Sequence, residues 1–337
     1  MRWDELKVES QAFRELPGYR DPAAVRTFDA PEALDTRFYE VRAKSVLNRV
    51  PERSRMPFRW TINPYRGCSH ACKFCFARPT HKYLDLSPGR DFEREIVVKV
   101  NAPEVARAEL SKPPWKREHV AMGTNTDPYQ WVESRYRLMP GILEALRDSG
   151  TPASVLTKSP LLLRDMELMK QIPGFQANLS VPTLDEKAWR TTEPRTPHPR
   201  KRLEAVAELN RNGIPCGILI APLIPGVNDA PEQVAEIVRM ATEGGATSIG
   251  GIGLHLRGEV KELWFDWLRE HRPDLLPRYE ELFRRGAYMP VKERERLSAL
   301  VRTGRPRRRS LRGADPGPQK AAGQRKAASE PVQGSLF

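Results

Sequence analysis

The sequence predicts an α/β protein built on a parallel β-sheet. Two observations support this prediction: short apolar stretches recur along the chain, and longer segments with helical periodicity separate them. Stretches of five to eight residues that alternate with helical segments of ten to fourteen are typical of βαβ units. About six such units fit within the 337 residues.

The predicted elements follow one another in a regular order. The six expected strands are residues 58–63, 118–123, 153–157, 175–181, 215–221 and 247–254. The expected helices are residues 102–112, 136–149, 161–172, 199–212 and 231–243. Residues 95–100 are also extended in character. Asn101 is a candidate N-cap for the first helix, and Gly150 and Gly213 are expected to end later helices.

Four regions are expected along the chain. They are an extension packed on the main domain (1–50), the sheet domain (51–260), a helical cover (261–302) and a tail (303–337). In the cover, Trp264 and Trp267 are spaced three residues apart and are expected to pack in the core rather than to form a base-stacking platform. The tail is rich in Pro, Gly and charge, so we expect it to be disordered.

The net charge of +13 is unevenly distributed. Residues 302–337 contain nine Lys or Arg and two Asp or Glu, which gives +7 and leaves +6 for the other 301 residues. Nucleic acid is therefore an electrostatically allowed partner, and a solvated basic face is an equally good interpretation. The N-terminus has no apolar leader and no run is long enough to span a membrane, so a soluble, cytoplasmic protein without a membrane partner is expected.

Three of the four cysteines lie within eight residues, as Cys68, Cys72 and Cys75 in a C-x3-C-x2-C motif. Thiolates this close in sequence are well placed to converge on one soft metal centre. Three ligands leave one coordination position open for a substrate or cofactor. The alternative is a structural zinc site that recruits His70 or His81 as its fourth ligand.

This motif, with Phe74 directly before its last cysteine, resembles the cluster motif of the radical S-adenosylmethionine (SAM) superfamily. The runs GCSHACKFCFARPTH and GTNTDPYQ resemble the branch related to spore photoproduct lyase, also described as DNA-repair-photolyase-like. The resemblance covers roughly residues 55–260 and implies a partial (βα)6 TIM-type barrel. It also implies that the three cysteines hold a 4Fe–4S cluster whose fourth iron chelates SAM, and that Phe74 belongs to the cofactor site.

The resemblance assigns further cofactor-binding residues to the ends of the predicted strands. Gly123, Thr124, Asn125 and Asp127 follow the second strand, in a region that commonly binds the amino group of methionine. The alternative for this segment is an ordinary Asx/Pro turn. Lys158 after the third strand and Ser180 at the end of the fourth match positions that contact SAM in the related lyases.

His255 and Arg257, which follow the sixth strand, are candidate contacts for an anionic substrate.

Cys216 lies in an apolar context and is expected to be an inert buried thiol. Spore photoproduct lyases use an additional cysteine as hydrogen donor, and this chain has none between Cys75 and Cys216. The resemblance therefore leaves thymine-dimer repair in doubt unless Cys216 or Tyr129 takes that role.

The C-terminal residues Gln333, Leu336 and Phe337 form a QxxLF-type sequence, which resembles peptides that dock on the bacterial sliding clamp.

The leading hypothesis is an enzyme that reductively cleaves SAM, with an external one-electron reductant and an unknown substrate such as a nucleic-acid lesion. Two alternatives are a radical SAM enzyme that acts on a protein or small molecule, and a non-catalytic, metal-stabilised protein that binds nucleic acid or the clamp.

Overall fold

The computed structural model describes residues 8–303 except 34, 53 and 55. From residue 304 onward the predicted tail lies outside this range. Its predicted disorder and the clamp-binding residues Gln333, Leu336 and Phe337 therefore stay predictions.

The strands and helices alternate as predicted from residue 95 onward. The strands are β1 (Val8–Arg14), β2 (Ala23–Phe28), β3 (Arg37–Val41), β4 (Leu47–Arg49), β5 (Trp60–Ile62), β6 (Tyr65–Arg66), β7 (Glu95–Lys99), β8 (Val120–Met122), β9 (Ala153–Thr157), β10 (Gln176–Ser180), β11 (Cys216–Leu223) and β12 (Ile249–Gly253). The α-helices are α1 (Arg90–Arg94), α2 (Ala102–Leu110), α3 (Glu133–Tyr136), α4 (Leu138–Asp148), α5 (Met166–Met169), α6 (Glu186–Thr192), α7 (Pro199–Arg211), α8 (Pro231–Glu243), α9 (Val260–His271), α10 (Leu276–Leu282) and α11 (Val291–Thr303).

The main sheet of the described residues has seven strands in the order β12-β11-β10-β9-β8-β5-β4. Six of them, from β5 to β12, run parallel, and only β4 at the edge is antiparallel to its neighbour. These six strands lie at the six predicted stretches, and the sheet forms a partial TIM-type barrel. The fold prediction is confirmed. Because functional loops follow the carboxyl ends of such strands, one end of the barrel holds the candidate site.

A second sheet of five strands, in the order β1-β2-β3-β7-β6, was not predicted. Most of it comes from the segment that was expected to be a packed extension. Its β3 runs parallel to β7, and Arg37 pairs with Glu95 across them. Residues 95–100, which are extended as expected, therefore contribute to this sheet rather than to the barrel.

Several helix details differ from the prediction. Asn101 precedes α2 but makes no side-chain cap; its amide instead bonds the backbone N–H and carbonyl of Ala43, which ties the helix to the N-terminal segment. The segment 161–172 divides into a 3-10 helix, Pro160–Asp165, and the short α5. Helices α6 and α11 were not foreseen. Trp264 and Trp267 stack at 4.5 Å in the core, as expected.

Among the described residues, no helix has the length and apolar character needed to cross a membrane.

Candidate cofactor and substrate site

A cavity of about 760 Å³ opens at the carboxyl ends of the parallel strands. It is lined by the cysteine loop, by residues within β8, β9, β10, β11 and β12, by residues that follow these strands, and by the segment before β5. This volume falls within the range of small-molecule and cofactor sites. The cavity contains most of the predicted site residues: Cys68, Cys72, Cys75, Phe74, Gly123, Thr124, Asn125, Asp127, Lys158, Ser180 and His255.

The cysteine loop follows β6 and is held by backbone hydrogen bonds to neighbouring segments. The N–H of Cys68 donates to the Phe92 carbonyl at 2.9 Å, and the N–H of Lys73 donates to the Thr192 carbonyl at 2.9 Å. Gly67 precedes the first cysteine with a φ of +79°, and a Cβ there would lie 2.8 Å from the Phe92 carbonyl oxygen. Contacts with the surrounding protein therefore help to set the conformation of this loop.

A buried guanidinium fixes the centre of this loop. Arg78 is only 2% exposed and donates to the carbonyls of Ala71 and Cys72 at 3.2 and 3.0 Å. It also donates to the Gly89 carbonyl at 2.6 Å and pairs with Glu93 at 2.7 Å. Because a guanidinium presents its donors in a rigid fork, one side chain joins the loop to the segment before α1.

The three cysteines fit an iron–sulfur cluster better than a zinc ion. Within the described part of the chain, no group of three His, Cys, Asp or Glu side chains is arranged to hold a single metal ion. In a cluster each thiolate binds a different iron, so the three sulfurs need not meet at one point. Of the two candidate fourth ligands for zinc, His81 bonds the Glu95 carbonyl through Nε2 at 2.9 Å and His70 has Nδ1 3.3 Å from Asp127, and neither belongs to such a group of three among the described residues.

Asp127 joins the cysteine loop to β9. Its carboxylate accepts from the hydroxyl of Thr157 at 2.6 Å and from the N–H of Lys158 at 2.8 Å, besides the contact with His70. Although burial alone would raise the pKa of Asp127, these partners lower it. The side chain is thus used to hold protein segments together. The carboxylate also lines the cavity, and its assignment to cofactor binding stays a prediction.

Gly123 follows β8 at a point where the chain passes close to the backbone of the neighbouring strand β9. Its φ is +81°, and a Cβ at this position would lie 1.8 Å from the carbonyl oxygen of Leu156 in β9. Thr124 and Asn125 follow and line the cavity. The glycine lets the polar loop after β8 turn into the cavity over the neighbouring strand.

Lys158 and Ser180, which the resemblance assigned to SAM contacts, lie next to each other in the structure. The Lys158 ammonium donates to the Ser180 hydroxyl at 2.6 Å and lies 2.9 Å from a carboxylate oxygen of Glu193. Glu193 is fully buried and pairs through its other oxygen with Arg202 at 2.8 Å, which is also fully buried. The two cations keep the pKa of Glu193 low despite its burial. The Lys158 ammonium therefore has a fixed position in the cavity wall.

Phe74 packs between this cation and the core. Its ring lies 5.9 Å from the Lys158 ammonium and 6.4 Å from the Trp264 ring.

Burial raises the pKa of the Cys72 and Cys75 thiols, so metal binding would have to displace their protons.

His255 and Arg257 are placed differently from each other. His255 lines the cavity at its mouth, whereas Arg257 lies outside the cavity lining, with its guanidinium 5.1 Å above the Tyr288 ring and bonded to the Tyr288 hydroxyl. The two residues therefore meet at Tyr288, which was not among the predicted site residues.

The two candidate hydrogen donors do not reach the cavity. Cys216 is fully buried in the hydrophobic core, and Tyr129 is fully buried with its hydroxyl donating to Asp165 at 3.1 Å. Neither residue lines the cavity. The structure thus gives no support to hydrogen donation from either side chain, and the expectation of a buried Cys216 agrees with its position.

Burial raises the pKa of Cys216 to about 12. We expect this thiol to resist alkylation by iodoacetamide at pH 8 in the folded protein and to react fully once the chain is denatured, since the thiolate is the nucleophile. Mass spectrometry of peptides from cluster-loaded protein, alkylated before or after denaturation, measures this. Equal labelling under both conditions would contradict the assigned burial.

Three functional residues were missed by sequence reasoning: Arg78, Glu193 and Arg202. Arg78 lies three residues after the motif, where a charge is usually solvent-exposed. Glu193 and Arg202 lie far from any strand end in a sequence rich in charge. A signal existed only for Arg78, because it stands in the recognised run GCSHACKFCFARPTH.

Comparisons with known proteins agree with this geometry. The model of the radical SAM superfamily matches residues 62–241. An uncharacterized protein of Mycobacterium tuberculosis strain H37Rv is 44% identical over 96% of this chain and 94% of its own. A radical SAM Nα-GlyT isomerase of Pseudomonas phage M6 is 28% identical over 49% of this chain and 33% of its own.

Among solved structures, a variant of spore photoproduct lyase with bound AdoMet and dinucleoside spore photoproduct superposes with a TM-score of 0.58 at 15% identity. The match covers 79% of this chain and 77% of the lyase. At this identity the comparison shows a shared fold.

Proposed function

Because the chain belongs to the radical SAM superfamily, we propose that Cys68, Cys72 and Cys75 hold a 4Fe–4S cluster at which SAM is reductively cleaved. The main support is that these three cysteines, Lys158 and Ser180 line one cavity at the carboxyl ends of the barrel strands. When bound, the cluster and SAM supply a one-electron reduction that yields a 5′-deoxyadenosyl radical for hydrogen abstraction. An external one-electron reductant is the implied partner.

The chain's own residues would bind and orient SAM in this cavity. The Lys158 ammonium is fixed by Ser180 and Glu193 and would form a charge-assisted hydrogen bond with the SAM carboxylate. Thr124 and Asn125 offer polar side chains for the amino group. The segment of residues 221–229, which comprises the end of β11 and the loop after it, would hold the adenine. The apolar part of the lining, which includes Phe74, would exclude water from the reacting groups.

For the substrate we propose a nucleic-acid lesion. The solved lyase that shares this fold carries a dinucleoside photoproduct, and a relative is named an Nα-GlyT isomerase. The excess of +7 in residues 302–337 is compatible with a nucleic-acid partner. Docking on a sliding clamp through Gln333, Leu336 and Phe337 is part of the same proposal, as is a cytoplasmic location, where thiols stay reduced.

The test is anaerobic reconstitution followed by dithionite reduction in the presence of SAM, with chromatography for 5′-deoxyadenosine. We expect product from the wild type and none from a variant with Cys68, Cys72 and Cys75 changed to Ala. A variant with Cys216→Ala is the matched control, because it removes a thiol outside the cavity, and it should retain product formation. No product from wild type with a fully loaded, reducible cluster would favour the non-catalytic binding protein.

Glu193→Gln tests how the Lys158 ammonium is positioned. The exchange removes the carboxylate charge that faces the Lys158 ammonium and Arg202 but keeps a hydrogen-bond acceptor for the ammonium. With a loss of roughly 1 kcal/mol in positioning the ammonium, we expect the KM for SAM to rise about fivefold while kcat changes little. Steady-state 5′-deoxyadenosine formation at varied SAM concentration measures both constants.

Glu186→Gln is the control for this exchange, because Glu186 forms an exposed pair with Arg190 and the group is fully solvated. It should leave the KM unchanged. An unchanged KM in Glu193→Gln as well would show that the Lys158 position does not matter for SAM.

A further inference from the structure

Three aromatic rings follow one another along the mouth of the cavity: Phe76, His255 and Tyr288, which we call the aromatic shelf. The ring centroids of Phe76 and His255 are 5.9 Å apart, and those of His255 and Tyr288 are 5.7 Å apart. The His255 and Tyr288 rings are inclined by only 21°. Phe76 and His255 also line the cavity, so the shelf is continuous with the cofactor site.

The shelf is built from three separate parts of the chain. Phe76 belongs to the cysteine loop, His255 follows β12, and Tyr288 lies in the loop between α10 and α11. A backbone bridge joins His255 to Tyr288, and the N–H of Leu256 donates to the Ala287 carbonyl at 2.8 Å. Main-chain contacts thus hold the segments that carry His255 and Tyr288 side by side.

Two of the rings are exposed, although large apolar side chains are usually buried. Phe76 is 47% and Tyr288 is 45% exposed, and Ile252 of the cavity lining is 49% exposed. An exposed apolar group of this kind beside a cavity is typical of a binding site. The ligand that fits it must offer a flat, apolar face.

Positively charged side chains lie near the aromatic shelf. The Arg257 guanidinium lies 5.1 Å above the Tyr288 ring and donates to a phenol hydroxyl, not to a carboxylate, among the described residues. Arg285 and Lys292 are exposed on the segment that carries Tyr288. Burial and the nearby Arg257 lower the pKa of His255, so its ring is uncharged near neutral pH. The site therefore combines neutral ring faces with cations at one end.

We propose that the aromatic shelf stacks one unpaired nucleobase of a nucleic-acid substrate, while Arg257 contacts the adjoining phosphate. A flat ring linked to an anion matches both features of the site, and base–aromatic stacking with nearby arginine is the usual way to bind single-stranded nucleic acid. A peptide aromatic side chain would satisfy the rings but leave the cations without a partner. This inference rests on the proposed function, because it specifies the substrate of the same cavity.

The test uses the full-length, cluster-loaded chain and a fluorescent single-stranded oligothymidylate. Its Kd is compared with that of an abasic phosphodiester of the same length, which has the charge but no bases. We expect Tyr288→Ala to weaken oligothymidylate binding about fivefold or more, since that is the range for loss of one stacking contact. Arg257→Gln should also weaken oligothymidylate binding, and it should reduce the dependence of the Kd on salt concentration.

Matched controls exist on other surfaces. Phe13 in β1 is 78% exposed, and Arg190 lies 5.2 Å above the Trp189 ring while pairing with Glu186. Phe13→Ala and Arg190→Gln should leave the Kd within twofold of wild type. Residues 304–337 are retained in every variant, so their charge contributes equally throughout.

The outcomes separate the shelf from the proposed function. If wild type binds the abasic chain as tightly as oligothymidylate, or if Tyr288→Ala has no effect, the shelf does not stack a base and the proposal is overturned. A different result would assign the shelf to proteins instead. In that case Tyr288→Ala would bind oligothymidylate with an unchanged Kd, and it would lose the binding of a tryptophan-containing acidic peptide that the wild type binds. Formation of 5′-deoxyadenosine by the same wild-type preparation reports the proposed function independently, so either can fail while the other stands.

Discussion

Replacing Arg78 with Met is expected to abolish cluster binding and to lower the free energy of unfolding by about 3–5 kcal/mol. The buried guanidinium holds the carbonyls of Ala71 and Cys72 and pairs with Glu93. Methionine has similar length but no donors, so the carbonyls and the carboxylate would be left without these partners. Iron content per chain after anaerobic reconstitution and urea unfolding followed by circular dichroism measure the two effects.

Arg94→Met provides the comparison. Arg94 pairs with Asp35, whose side chain is 72% exposed, so its loss should cost less than about 1 kcal/mol and leave the iron content unchanged. Arg78→Lys keeps the charge but not the fork, and we expect an intermediate iron content. A full complement of iron in Arg78→Met would show that the cysteine loop holds its shape without this side chain.

Gly123→Ala is expected to destabilise the barrel by about 3 kcal/mol or more, or to prevent folding. The new Cβ would lie 1.8 Å from the Leu156 carbonyl oxygen and 2.9 Å from its carbon, both of which are backbone atoms that cannot rotate away. Either β8 and β9 separate or the loop that carries Thr124 and Asn125 changes course. Urea unfolding gives the stability, and equilibrium dialysis with labelled SAM tests whether the folded fraction still binds it.

Gly150→Ala separates crowding from backbone conformation. Gly150 has a φ of +62°, but an alanine Cβ there would meet no atom of the described residues within 4 Å beyond its own chain neighbours. The substitution should therefore cost only about 1 kcal/mol, which is the cost of the left-handed backbone alone. Similar losses in the two variants would mean that the positive φ, not the contact with Leu156, sets the cost at Gly123.

The barrel could be predicted because its six strands are short apolar runs that end in polar loops. The cysteine spacing likewise placed Cys68, Cys72 and Cys75 in one loop, and the resemblance assigned Lys158 and Ser180 to the ends of neighbouring strands. These features are local or repeat along the chain. Each can be recognised from a few neighbouring residues.

The second sheet and the buried charges could not be predicted for the opposite reason. The strand β3 gains its parallel partner only at β7, through a register in which Arg37 faces Glu95. Glu193 and Arg202 are buried only because α6 and α7 bring them behind Lys158. In both cases the environment of the side chain depends on distant segments, and local sequence carries no sign of it.

Helix α11 packs against β12, the last strand of the barrel, although the two are far apart in the sequence. It packs on β12 where glycines leave room: a Cβ on Gly251 would lie 2.5 Å from Val301, and one on Gly253 would lie 3.1 Å from Leu297. It therefore occupies the place of the helix that would normally follow the sixth strand directly. Helices α9 and α10 are inserted between the two, and the returning loop brings Tyr288 to the cavity mouth.

This arrangement separates two kinds of evolutionary constraint. The glycines of β12 and the apolar face of α11 must change together, whereas the intervening segment can vary in length and sequence as long as both its ends stay in place. A change in the length of this segment would therefore reshape the cavity mouth while the contact between β12 and α11 stays in place.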